Sequence, residues 1–248
     1  TVLNITRLYN AVSAVSYMRR GLALAEDYAG RRKAYGKLLI EQPLHQETLA
    51  ELNAEYLGAL HLVLHLGVLL GKTETGKASA SDQMLLRLLT PIAKLYTAKQ
   101  SIAVSSEVLE CFGGAGYIED TGLPRLLRDC QVLSIWEGTT NVLSLDVLRV
   151  LENPEALDAY AADVGSRAGK MQDEALAPYR VQITRGLEAV RDWLRTTAAD
   201  RDALERGGRR LAFSLARIYV ASLLGEAAME GWVEVPDLRH WCRALPQV

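Results

Sequence analysis

Apolar residues recur every three or four positions almost from the first residue onward. Leu8, Val12, Val15, Met18, Leu22 and Ala25 form one stripe, and the helix they predict stops near Gly30. Gln42-Pro43 opens a second helix, since proline suits a first turn. Leu49, Leu52, Tyr56, Leu60, Val63, Leu64 and Val68 carry it to Gly71. Small and polar residues from Thr73 to Asp82 read as a loop. A third helix carries Leu88, Ile92, Leu95, Ile102, Val108 and Leu109, with a kink predicted at Pro91. Cys111 to Tyr117 is a glycine-rich break, and Pro124 opens a fourth helix. An irregular stretch around Glu137-Gly138 then precedes a helical segment from Asn141 to Leu151. No segment alternates with period two for long enough to predict a strand. Four long antiparallel helices with short connections make an all-α, up-down helix bundle.

Asn153-Pro154 is the best boundary, polar and helix-breaking. It divides a bundle domain at 1–152 from a helical C-terminal extension at 153–248, whose amphipathic text includes Val181 to Arg195 and Leu211 to Leu224. Composition agrees: 49% hydrophobic and 23% charged residues exclude a disordered or fibrous chain, and 6% aromatics favour helices over a β-sandwich. Three scattered cysteines without a CxxC pair argue against a disulfide framework or a zinc site and for a reducing compartment, read as cytoplasmic. The longest apolar run, Leu57 to Leu70, contains His61 and His65 and is too short to cross a bilayer, so no membrane span is expected. A helical pattern that starts beside Thr1, with no initiating methionine, is expected of a piece of a longer protein.

Two segments depart from plain core helix. Arg31-Arg32-Lys33-Ala34-Tyr35-Gly36 sets cations beside an aromatic, a pattern for an anion and a ring. Its bland alternative is a helix C-terminus with basic residues answering the dipole and Gly36 as cap, and spacing alone favours that alternative. The second segment runs from Phe112-Gly113-Gly114-Ala115-Gly116-Tyr117 through Arg128-Asp129 to Trp136-Glu137-Gly138-Thr139-Thr140-Asn141. Consecutive glycines let a backbone approach a ligand, although an interhelix turn needs them as well. Glu137 sits between Trp136 and Gly138 in apolar text, where a carboxylate is expected to have a raised pKa suited to a general base. An exposed loop glutamate is the commoner case for such a residue taken alone.

Taken together, Tyr28, Arg32, Tyr35-Gly36 and Gln42, then Gly113-Gly114 and Gly116-Tyr117, then Arg128-Asp129, then Trp136-Glu137-Gly138-Thr139 follow a family's order and spacing. The chain resembles the C-terminal helical domain of acyl-CoA dehydrogenases over roughly Thr1 to Leu151. Leu123-Pro124-Arg125-Leu126, Ser134-Ile135-Trp136-Glu137-Gly138 and Leu145 to Leu151 look most like the branch of the alkylation-response flavoprotein AidB, which also carries a helical extension. The resemblance implies that Glu137 is the base that removes a proton α to an acyl-CoA thioester while hydride leaves to FAD. It places Arg32, Lys33, Ala34, Gln42, Glu110, Cys111, Phe112, Gly113, Gly114, Thr139, Thr140 and Asn141 at flavin-contacting positions, the arginine reaching a neighbouring subunit's flavin. Thr6, Arg7 and Arg149 fall at substrate positions. Glu110 and Asn141 stand where glutamine is usual. The family's N-terminal helical and middle β-barrel domains are missing, so the chain alone is expected to be inactive and without flavin. A homodimer or homotetramer is implied, as is an electron-transfer flavoprotein as acceptor.

Rival readings are a DNA-binding protein, suggested by the AidB branch, and an oligomerisation platform. Residues 1–150 carry 15 cationic and 15 acidic side chains and residues 151–248 carry 13 and 15, so no excess positive charge supports DNA. Arg201, Arg206, Arg209 and Arg210 could form a local patch, though a solvated helix face explains them. His61 and His65 have metal-pair spacing but no third ligand, so no metal is predicted. Trp193, Trp232 and Trp241 read as packing residues, and Cys130 as a small buried one.

Overall fold

A computed structural model describes residues 2–245. Three long helices lie side by side: α1 (Val2–Ala29), α2 (Pro43–Glu74) and α3 (Ala80–Cys111). The loop between α2 and α3 is shorter than the polar text suggested. Ser79 Oγ accepts the Asp82 N–H at 3.1 Å while the Asp82 carboxylate accepts the Ser79 N–H at 2.9 Å, and this capping box starts α3 early. Pro91 lies inside α3, which continues unbroken past it. A single turn, α4 (Gly114–Tyr117), leads to α5 (Leu123–Leu133) and α6 (Thr140–Leu151). These two short helices, broken at residues 134–139, stand where a fourth long helix would be.

After α1 the prediction fails locally. The helix ends at Ala29, and Lys33–Ala34 (β1) pairs antiparallel with Lys37–Leu38 (β2). Tyr35 at φ 52° and Gly36 at φ 84° make the tight turn between them. Gly36 is therefore a hairpin corner and not a helix cap. Strands of two residues are too short to write a period-two pattern.

The extension folds as α7 (Pro154–Lys170), α8 (Ala177–Thr197), α9 (Arg201–Met229) and α10 (Val235–Cys242). One core, centred on Met18, Leu22, Leu52, Val104 and Val108, joins α1, α2 and α3. A second runs from Leu66, Leu88, Ile92 and Val147 into Tyr160, Leu215, Tyr219 and Trp241, so bundle and extension share apolar interior. Gly58 on α2 is a glycine because any Cβ there would overlap the Trp241 ring. Arg217 on α9 donates to Glu55 (3.3 Å) and to Tyr96 Oη (2.7 Å), tying α9 to α2 and α3, and stacks on Trp241.

Helices α2 and α9 are long and apolar enough to cross a membrane, which the run Leu57 to Leu70 had not suggested. Both pack against other helices, with 39% of the most apolar stretch of α2 and 72% of that of α9 buried. His65 is a packed histidine: Tyr219 Oη meets its Nε2 at 2.8 Å, and burial pulls its pKa down to about 4. Trp241 and Cys130 are buried and Trp193 packs at the core edge. Trp232 differs from the prediction: the turn at Gly231 (φ 73°) throws it outward, 75% exposed.

Candidate functional site

The residues singled out from the sequence gather at two ends of α1. At the first end the loop between α5 and α6 presents Glu137. Its backbone sits at φ 57°, a left-handed conformation that costs a non-glycine residue about 1–3 kcal/mol and needs surrounding structure to hold it. Two cations do so through the backbone. Arg7 Nε donates to the Glu137 carbonyl at 3.3 Å, and Lys94 Nζ donates to the Gly138 carbonyl at 2.6 Å. Asn10 Nδ2 holds the Leu133 carbonyl at 3.1 Å just upstream. Gly138, at φ 107° and against Leu143, completes the turn. The Glu137 carboxylate itself has no hydrogen-bond partner among the described residues and is half-buried.

The supports are themselves held. Arg7 Nη2 donates to Asp146 Oδ2 at 2.8 Å, and Arg149 Nη1 donates to Asp146 Oδ1 at 2.6 Å, so one carboxylate on α6 spans two guanidinium groups. Arg7 is therefore buried and held through its Nε and Nη2, whereas Arg149 is exposed. Lys94 is wholly buried, and this burial, with Arg7 nearby, lowers its pKa to about 8, against the opposing pull of Glu137. Thr6 Oγ1 turns back to the Leu3 carbonyl at 3.1 Å. Thr139 starts α6 without a side-chain cap, which leaves its hydroxyl and the first-turn N–H groups open beside Glu137. Thr140 is buried and Asn141 exposed in that turn.

At the other end of α1, about 30 Å away along the helix axis, lie the hairpin and the glycine segment. Gln42 Nε2 donates to the Ala34 carbonyl at 2.8 Å, and the Leu39 N–H to the Arg32 carbonyl at 2.9 Å. These bonds fix a hairpin whose Arg32, Lys33 and Tyr35 side chains stand in solvent, Tyr35 fully exposed. Tyr28 and Phe112, with ring centroids 4.6 Å apart, bring the end of α3 against it. Glu110, Gly113 and Gly114 are exposed, while Cys111 and Phe112 are half-buried. Burial beside Glu107 and Glu110 pushes the Cys111 thiol up to about 11, so it is no nucleophile. Gly116 lies so close to the Leu109 carbonyl that a Cβ would overlap it.

Lys94, Asn10 and Asp146 were not among the residues drawn from the sequence. A lysine in the mainly apolar stretch from Leu88 to Tyr96 was the available signal, because an unpaired lysine is almost never fully buried. The arginine patch of the extension is partly neutralised: Arg201 pairs with Glu205 at 3.5 Å and Arg206 with Asp200 at 3.8 Å.

Comparison with known proteins gives two family matches, "Acyl-CoA dehydrogenase, C-terminal domain" over residues 1–152 and "Acyl-CoA dehydrogenase 11 C-terminal domain-like" over residues 155–246. Acyl-CoA dehydrogenase family member 11 of Caenorhabditis elegans is 44% identical over 240 residues, which are 94% of this chain and 39% of that protein. Its crystal structure in complex with C11-CoA superposes with TM-score 0.90 at 42% identity, covering 97% of this chain and 42% of the other. The putative acyl-CoA dehydrogenase AidB of Escherichia coli is 37% identical over 147 residues, 59% of this chain and 26% of that protein. An acyl-CoA dehydrogenase complexed with FAD from Bacillus anthracis shares the fold at TM-score 0.76 and 22% identity, over 98% of this chain and 46% of that one. The chain thus spans less than half the length of each of these relatives.

Proposed function

The chain belongs to the acyl-CoA dehydrogenase family, whose C-terminal domain matches residues 1–152, and from that premise we propose that it is the C-terminal part of an FAD-dependent acyl-CoA dehydrogenase with Glu137 as general base. Residues 1–152 are then the bundle domain and residues 153–248 an extension that buttresses it. The observation that carries this reading is the loop at Glu137. Its backbone is pinned by Arg7 and Lys94 in a strained turn while its carboxylate is left without a partner.

The proton α to a thioester is weakly acidic, so its removal needs a correctly placed base in dehydrated surroundings. Glu137 supplies the base. Arg7 and Lys94 act as positioning residues, since each donates to a backbone carbonyl of the loop and Arg7 also to Asp146. FAD, when bound, takes the β-hydrogen as hydride. The residues present suit such a dianionic, planar group. Arg32 and Lys33 offer cations, Gly113-Gly114 an open backbone, and uncapped α6 its N–H groups and the Thr139 hydroxyl. Glu110 adds an acid there, so that stretch contributes through its backbone. The flavin contacts lie at opposite ends of α1, beyond the reach of one site in one copy, and this supports a homo-oligomer in which Arg32 serves a neighbour's flavin. An acyl-CoA substrate and an electron-transfer flavoprotein as acceptor complete the proposal.

The test is anaerobic mixing of the intact flavoprotein with acyl-CoA thioesters of increasing length, undecanoyl-CoA among them. Bleaching of the oxidised flavin absorbance is the expected result. Flavin that stays oxidised with every thioester overturns the assignment.

A further inference from the structure

A cavity of about 460 Å³ opens between α8 and α9, with Ala244 at its edge. It shares no residue with the Glu137 site or the hairpin. Its walls are apolar and aromatic, chiefly Val190, Trp193, Leu211 and Phe213. Its polar groups are Arg210, Ser214 and Arg217, which fall at i, i+4 and i+7 on one face of α9, and no carboxylate lines it.

Each of those three groups has unused hydrogen-bonding capacity. Arg210 is exposed and pairs with no acid among the described residues. Ser214 makes no hydrogen bond there either, although Ser13, Ser16, Ser144 and Thr184 all donate to the carbonyl four residues back in their helices. Arg217 spends its Nη atoms on Glu55, Tyr96 and the Trp241 carbonyl, yet its buried Nε has no acceptor. A medium-sized apolar cavity with a few convergent polar donors is the usual form of a small-molecule site. A neutral lipid would leave the arginine and the hydroxyl facing hydrocarbon, and a small inorganic anion would leave the aromatic walls wet.

We propose that this cavity in the extension is a ligand site for an amphipathic monocarboxylate, its apolar tail between Trp193 and Phe213 and its carboxylate on Arg210 and Ser214. The site is independent of the dehydrogenase chemistry and does not rest on it. Trp193 supplies the reporter, so the 248-residue chain is titrated with terminally brominated undecanoate, which quenches nearby indoles. Saturable quenching that is mostly lost in Trp193→Phe is expected. Dodecanoate competes, whereas dodecanol and the Arg210→Ala variant each weaken binding about tenfold, the loss of one charge-assisted hydrogen bond. Ala189→Phe, which fills the cavity, abolishes binding with thermal unfolding as the control for folding. Should that variant not fold, Arg210→Ala decides, its side chain being exposed. Absence of saturable quenching, quenching that persists in Trp193→Phe, or equal affinity in the charge and cavity variants overturns the proposal.

Discussion

The two ends of α1 are built on opposite plans. At the Glu137 end charged and polar side chains are spent inside the chain: Arg7, Lys94, Asn10 and Asp146 hold a strained loop from beneath and leave the Glu137 carboxylate free. At the hairpin end the order is reversed. The backbone is fixed by Gln42 and by the Arg32 carbonyl, and the charged and aromatic side chains are turned out to solvent. A group that must act on a reacting atom has to be held to a fraction of an ångström, and internal hydrogen bonds do that. Groups that receive a surface from outside need only a rigid backbone and free tips. On the proposed function, the contrast separates preorganised chemistry from preorganised docking.

The largest expected effect comes from removing the free carboxylate at the held end. On the proposed function, Glu137→Gln in the intact flavoprotein keeps the size and the left-handed turn but loses the base, so α-proton abstraction is expected to slow by about a thousandfold. Flavin content and acyl-CoA binding stay close to wild type. Stopped-flow flavin reduction measures it, and a variant that reduces flavin at the wild-type rate removes Glu137 from the chemistry.

Gly116→Ala tests whether the open end depends on its backbone. A Cβ there meets the Leu109 carbonyl, a backbone atom that has little freedom to move aside. A loss of about 3 kcal/mol in chemical denaturation is expected, in the range for forced overpacking. Stability within a few tenths of wild type would show that the glycine segment yields easily and that the hairpin end is soft.

Lys94 gives a pH signature to the held end. Its pKa in the folded chain is about 8 against an ordinary 10.5, chiefly because burial disfavours the ammonium. Between those values the unfolded chain binds the extra proton, so stability rises as pH goes from about 8 towards 10.5, and the penalty is fully present below 8. The neutral amine still donates to the Gly138 carbonyl. Lys94→Met should flatten that rise, which denaturation midpoints across the range would record. The same slope in both proteins would deny Lys94 its buried, depressed state.

How much of this was legible follows from where each residue sits in the pattern. Glu137, Arg32 and the glycines stood out because they interrupt helical periodicity, and the long helices did because their stripes run for many turns. Lys94 and Asp146 were hidden because each occupies an ordinary helical position, and their partners lie 44 and 139 residues away in sequence. The hairpin was hidden by its length, two residues per strand. Trp232 misled because an indole reads as core whatever the turn before it does. The pairing of Arg217 with Glu55 across 162 residues likewise has no local signature.

The smallest effect on the isolated chain, and the one that bears most directly on the contrast, belongs to Arg32→Ala. Arg32 is exposed, and its backbone carbonyl rather than its guanidinium takes part in fixing the hairpin. Truncation should therefore leave the unfolding midpoint of the 248-residue chain unchanged, surface substitutions away from caps and cores usually being near neutral. On the proposed function, the same change in the intact protein removes a cation from a neighbouring copy's flavin site, and a charge-assisted contact to phosphate corresponds to about tenfold in FAD affinity. Flavin retained after gel filtration, compared with denaturation of the same variant, reads both quantities at once. Unchanged stability with weakened flavin is what an outward-facing docking group gives. A loss of stability with flavin held normally would mean that the hairpin end, like the Glu137 end, uses its charges to hold itself together.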